Sequence, residues 1–231
     1  VDRSTVLEDG PIERYAAGLA AALRGPRRVR DEMVAEARHG LQDAADALED
    51  AGFGRVDAER QAVADFGTYR QVVPPYQAEL ASHQGKRTAL WIALALPVMM
   101  LLEPLMWWDS PWSIDQRASA LYWVLVAHFQ HTSFAAAAVA ALLVVGFSWG
   151  SRYLRDGVRY TRIVGFGTMT FLSLHGLAGA AVFVLSILQW PAAATWPPVI
   201  VGMLVNTAAF AYAGLLAVRC VTVTRSPAVT A

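Results

Sequence analysis

A histidine and an asparagine stand inside the longest charge-free stretch of this chain. Between Arg162 and Arg219 there is no Asp, Glu, Lys or Arg over 56 residues, and His175 and Asn206 lie within it. At helical rise His175 sits about 18 Å along one apolar helix, and Asn206 about 10 Å from the opposite end of the next. In a bilayer core about 30 Å thick, antiparallel helices bring two such positions to similar depth. An interhelical His175–Asn206 hydrogen bond is therefore expected, with a contribution of about 0.6–2 kcal/mol. Gly176-x-x-x-Ala180 and Ala209-x-x-x-Ala213 supply small residues that allow helices to approach closely.

Three further groups bear on chemistry. Glu103, His128 and His131, together with His175, can form a polar cluster in the outer half of the bundle. Such a cluster can take a metal ion, protons or a small ligand. The simpler assignment makes them interfacial histidines beside a helix-packing His175. Arg152, Arg155, Arg159 and Arg162 recur at spacings of three and four, which suits topology control and contact with anionic lipid head groups. Four arginines against a membrane, with no recognition module, do not make a nucleic-acid face. Cys220 is the single cysteine, so a disulfide within the chain and metal motifs built on cysteine pairs are excluded. It follows the last apolar run and reads as a juxtamembrane thiol, with palmitoylation the alternative. There is no phosphate loop, His-Glu-x-x-His or Gly-x-Ser-x-Gly. No catalytic residue, cofactor or metal ligand is assigned.

The elements that must hold these groups follow from hydropathy and charge. The 56-residue run is long enough for two spans of about 20 residues each and a turn. The turn is marked by Gln189-Trp190-Pro191 and Trp196-Pro197-Pro198, since proline breaks helices and tryptophan favours the membrane boundary. Earlier, Thr88–Leu102 is charge-free and extends to an aromatic pair at Trp107-Trp108. Ala118–Ser151 is charge-free over 34 residues, longer than a bilayer core, so its span is placed near the far end of the run. The expected spans are 88–108, 131–149, 163–188 and 199–218. Residues 118–130 form an extension and 220–231 a short tail. Of the basic residues that flank the spans, eight fall on the side of the termini and one, Arg117, on the other. That asymmetry predicts a multi-pass protein of the plasma (inner) membrane with both termini cytoplasmic. Val1–Gly10 has no apolar core, so the first span is expected to serve as its own targeting signal.

Residues 1–87 read differently. They carry 12 basic and 15 acidic residues and a series of short amphipathic helices. Pro11 opens the first, with Ile12, Tyr15, Ala16, Leu19 and Leu23 on one face, and Gly25-Pro26 ends it. The second runs from Arg27 to Asp50 with the stripe Val29, Met33, Ala37, Leu41, Ala44 and Leu48. Asp57 is the expected cap of the third, which ends at Gly67. Thr68 to Gln71 has capping-box spacing. Pro74-Pro75 is expected to break the fourth. The fold class is all-α: a small N-terminal helical domain followed by a four-helix transmembrane bundle.

The head carries a resemblance. Ile12-Glu13-Arg14-Tyr15, then Glu32-x-x-x-Glu36-x-x-His39-Gly40-Leu41, then Ala58-Glu59-x-x-Ala62-x-x-Asp65-Phe66-Gly67 resemble the HAAS domain, also called the permease prefix domain, over roughly residues 11–83. The resemblance implies a cytoplasmic regulatory or interaction module of a bacterial membrane protein. Its members are often encoded with PadR-type transcription regulators or transport proteins, and it implies no catalysis. The expectation is a signalling protein whose head binds a cytoplasmic partner and whose bundle anchors it or senses the envelope. An accessory subunit of a transport system is the alternative, and a membrane enzyme ranks last.

Overall fold

The computed structural model describes residues 10–111, 118–149 and 157–224. All seven long elements among them are α-helices. By contact the chain divides into two compact units. One holds the residues up to Ala81 with those from Thr222 onward, and the other is Ser82–Val221.

The first unit, the head, is built by α1 (Pro11–Ala22), α2 (Arg27–Asp50), α3 (Arg55–Phe66) and the start of α4 (Tyr69–Met106). Its core gathers Ile12, Leu19 and Leu23 with Leu41, Ala45, Ala58, Val73 and Leu80. Tyr15 is the hub. Its ring stacks on Tyr69 at 4.8 Å and meets Phe66 edge-on at 5.8 Å. Its hydroxyl donates to the Gly67 carbonyl at 2.8 Å, and Gly67 takes the left-handed φ of 112° that ends α3. The Gln71 side chain then accepts from the Thr68 backbone N–H at 2.9 Å, the reach-back expected of a capping box. Gln77 is buried, and its amide clamps the α1–α2 connection. It accepts from Arg24 N at 2.9 Å and donates to Arg24 O at 2.7 Å and to Val223 O at 2.8 Å.

Three expectations for the head are corrected. Asp57 is not a cap: α3 starts at Arg55 behind Gly54, whose carbonyl accepts from both Asp57 N and Ala58 N at 2.9 Å. Asp57 instead lies in the first turn, where a carboxylate favours the helix dipole, and pairs with Arg60. On α2 the buried series is Ala37, Leu41, Ala45, a step of four throughout, and Ala44 is exposed. Pro74-Pro75 does not break α4. The two prolines remove the donors to the carbonyls of Arg70 and Gln71. All four residues are on the exposed face, where water reaches those carbonyls, while Val72, Val73 and Gln77 are buried on the other.

The second unit contains the rest of α4, then α5 (Ala120–Trp149), α6 (Gly157–Gln189), a 3₁₀ turn at Pro191–Thr195 and α7 (Pro197–Val223). Each of the four helices carries a window apolar enough to cross a membrane. The shortest has 27 residues, about 40 Å at helical rise. Leu101, Leu142, Leu177 and Leu188 are at least 70% exposed, an arrangement unfavourable in water and natural in lipid. The chain is a four-span helical membrane protein. Residues 120–130 are a continuous part of α5, with Tyr122 buried against Trp190 and Ala193 at the end of the bundle away from Ser82 and Val221. There Ser119 N also donates to the Gln189 side chain at 2.8 Å. Arg159 and Arg162 belong to the first turns of α6 rather than to a loop.

At the opposite end, buried polar groups join α4 to α7. Thr88 Oγ1 lies 3.0 Å from Cys220 Sγ, and Gln84 Nε2 donates to Leu216 O at 3.4 Å. Cys220 is fully buried, which closes it to acylation. The close approach of α6 to α7 occurs at Gly165. A Cβ there would stand 3.0 Å from Cys220 Cβ and 3.2 Å from Ala217 O. Gly176 and Ala180 are exposed, and a Cβ on Gly176 would meet nothing within 4 Å. The expected Gly-x-x-x-Ala contact is thus displaced by three turns, because the face carrying 161, 165, 168 and 175 is the one buried.

Two outcomes follow. Gly165→Val should lower stability in detergent or nanodiscs by about 1–3 kcal/mol through overpacking against backbone. Gly176→Leu should change it by less than about 0.5 kcal/mol. Thermal unfolding of both variants checks the pair. In the head, burial, with Tyr69 and Tyr76 nearby, pushes the Tyr15 hydroxyl from its usual 10.0 up to about 12. The folded head retains that proton, so its stability contribution is complete below pH 10 and lost as pH rises through 12. Phenolate absorbance during alkaline titration should lose its latest component in the Tyr15→Phe variant.

Candidate functional site

The bundle contains a cavity of about 540 Å³ bounded by α4, α5, α6 and α7. Its walls are mainly apolar: Met99, Met100 and Met106 from α4, Phe129 from α5, and Pro197, Val201 and Phe210 from α7. Four polar residues also reach it, namely Glu103, Ser133, His175 and Asn206. The sequence dictates this opening. Pro197-Pro198 starts α7, and Gly202 lets Met106 lie where a side chain would otherwise stand.

His175 is buried and held from several directions. Phe129, Phe171 and Phe210 lie against its ring at centroid distances of 3.8, 4.7 and 5.8 Å, all near parallel. Nε2 is 3.1 Å from Ser133 Oγ and Nδ1 is 3.4 Å from Thr132 Oγ1. Ser133 Oγ donates to Phe129 O at 2.8 Å, so the oxygen offers its lone pair to Nε2, which carries the ring proton.

The anticipated polar pair is therefore corrected in part. His175 and Asn206 line one cavity, but the hydrogen bonds of His175 go to α5 and none goes to Asn206 among the described residues. Two hydroxyls on the adjacent helix, Thr132 and Ser133, lie beside the two ring nitrogens. Of the outer cluster, Glu103 joins His175 in the cavity wall, whereas His128 and His131 are exposed and do not line it. His131 Nδ1 donates to Ala127 O one turn back on its own helix, at 2.6 Å. Among the described residues no group of three or more His, Cys, Asp or Glu is placed to hold a metal ion. Arg159 and Arg162 are exposed on α6. Arg152 and Arg155 lie outside the described residues.

Ser133, Thr132 and the three phenylalanines were not singled out from sequence. The available signal was the adjacent Thr-Ser pair, the hydroxyls within an otherwise apolar run after His131. The arrangement can bind and orient an apolar molecule and hydrogen-bond a polar end of it. No family model matches the chain, and no curated protein or solved structure matches it.

A double-mutant cycle tests the rebuilt pair. Ser133→Ala and His175→Leu should couple by about 0.6–2 kcal/mol. His175→Leu and Asn206→Leu should be additive. Unfolding in nanodiscs reads both cycles, and the reverse ranking would restore the His–Asn bond.

Proposed function

We propose that this is a non-catalytic membrane-anchored regulatory protein of the bacterial plasma membrane. Its head, on the cytoplasmic side with both termini, contacts a protein partner, and the bundle fixes that contact at the membrane. The observation that carries this reading is the build of the head. It has its own core, charged outer faces and an apolar tip at the α2–α3 turn, where Phe53 and Val56 are both 51% exposed. Exposed apolar side chains rimmed by charge are a feature of protein-contact surfaces. The orientation is supported by the excess of basic residues on the side of the termini, including Arg152, Arg155, Arg159 and Arg162. The resemblance of residues 11–83 to the HAAS domain points to a PadR-type transcription regulator as the partner.

Two measurements test this. In a Cys220→Ala background, Ala194→Cys should react with an impermeant maleimide in intact cells, and Asp50→Cys only after permeabilisation. The reverse result would invert the topology and move the head out of reach of a cytoplasmic partner. The full chain in nanodiscs should also retain a PadR-type regulator encoded beside it, with retention reduced in the Phe53→Ser, Val56→Ser double variant. Retention of a permease or nucleotide-binding subunit instead would favour the transport-accessory role.

A further inference from the structure

We propose that the bundle cavity is a binding site for a small lipophilic amine, an apolar body carrying one cationic nitrogen. The inference stands on the bundle alone and does not rest on the reading of the head. A volume of about 540 Å³ falls within the range of pockets that enclose drug-sized molecules. Met99, Met100 and Met106 line one side, and unbranched thioethers adapt to irregular apolar shapes.

The polar groups select the ligand's charge. His175 and Ser133 are paired with each other, and the Ser133 hydroxyl also donates to Phe129 O. Glu103 and Asn206 face the same cavity, yet neither makes a hydrogen bond or ion pair among the described residues. Glu103 is half-buried on this wall, and a carboxylate lining a largely apolar cavity attracts a cation. An ammonium group supplies that charge directly. The Asn206 side-chain carbonyl can accept a second N–H, and the face of Phe210 attracts the same charge. A neutral lipid tail would fill the apolar walls and leave the carboxylate uncompensated. An anion would be repelled by it.

The test uses the full chain in phosphatidylcholine nanodiscs, with labelled dibenzylamine as the cationic probe and dibenzyl ether as its near-isosteric neutral control. Dibenzylamine should bind saturably above empty discs and more tightly than the ether. Glu103→Gln should weaken amine binding by about tenfold or more, as expected when an ion pair in apolar surroundings is broken. It should leave ether binding and the unfolding temperature unchanged. Glu103→Asp should retain most of the amine affinity, and Asn206→Leu should lower it several-fold. Equal affinity for amine and ether, or amine binding indifferent to Glu103→Gln, would overturn the proposal in favour of a lipid-tail groove. Loss of amine binding when phosphatidylethanolamine is added to the discs would overturn it in favour of a lipid head group.

Discussion

Lipid tails are as apolar as leucine, so a helix in a bilayer gains little by hiding leucines from its surroundings. The bundle of this protein is arranged around that constraint. Many of its large aliphatic side chains point outward, and small or polar groups join its helices alongside buried apolar ones such as Leu216, Val199 and Trp190. His175 is held to α5 by two hydroxyls. Gln84, Thr88 and Cys220 tie α4 to α7, and Gly165 lets α6 lie against α7. The polar ones among these groups would be costly to leave facing hydrocarbon, so their satisfaction within the bundle helps decide which helix faces meet.

The head obeys the opposite rule, and the change occurs within a single helix. Before residue 82, α4 buries Val72, Val73, Leu80 and Ala81. Beyond it the same helix exposes Leu94, Val98 and Leu101. The head is held by apolar burial of the kind water rewards. Its few internal polar side chains, Tyr15 and Gln77, cap backbone groups that turns leave open. An all-α chain can thus fold by two kinds of packing without a change of secondary structure, because the helix satisfies its own backbone in either solvent.

The helices of both regions were legible in sequence for physical reasons. Pro11, Gly25-Pro26, Gly52 and Gly67 punctuate the head, and the α2 bounds of Arg27 and Asp50 follow from the second and third of these. The charge-free runs and Trp-Pro pairs mark the spans. What could not be read was which face of a uniformly apolar helix is buried. An amphipathic helix declares its inner face, but α6 is apolar all round. Nothing local distinguishes Gly165, which touches α7, from Gly176, which faces outward. The same difficulty gave His175 the wrong partner. Depth along the helix is readable from sequence and rotation about its axis is not, so a residue at matched depth was chosen over hydroxyls on another helix. The Pro74-Pro75 break failed differently. Two missing donors are tolerated there because the carbonyls they abandon are on the exposed face.

The clamp made by Gln77 has a meaning for the whole chain. Its amide donates to the carbonyl of Val223, 146 residues further along. A hydrogen bond cannot reach through a bilayer core about 30 Å thick, so these two positions share one face of the membrane. The path between them must therefore cross an even number of times, a parity imposed by one contact and independent of any count of arginines. Loss or gain of a single crossing could not be absorbed by tilting or re-registering the remaining helices. It would carry Val223 to the opposite face and separate the tail from the head it closes.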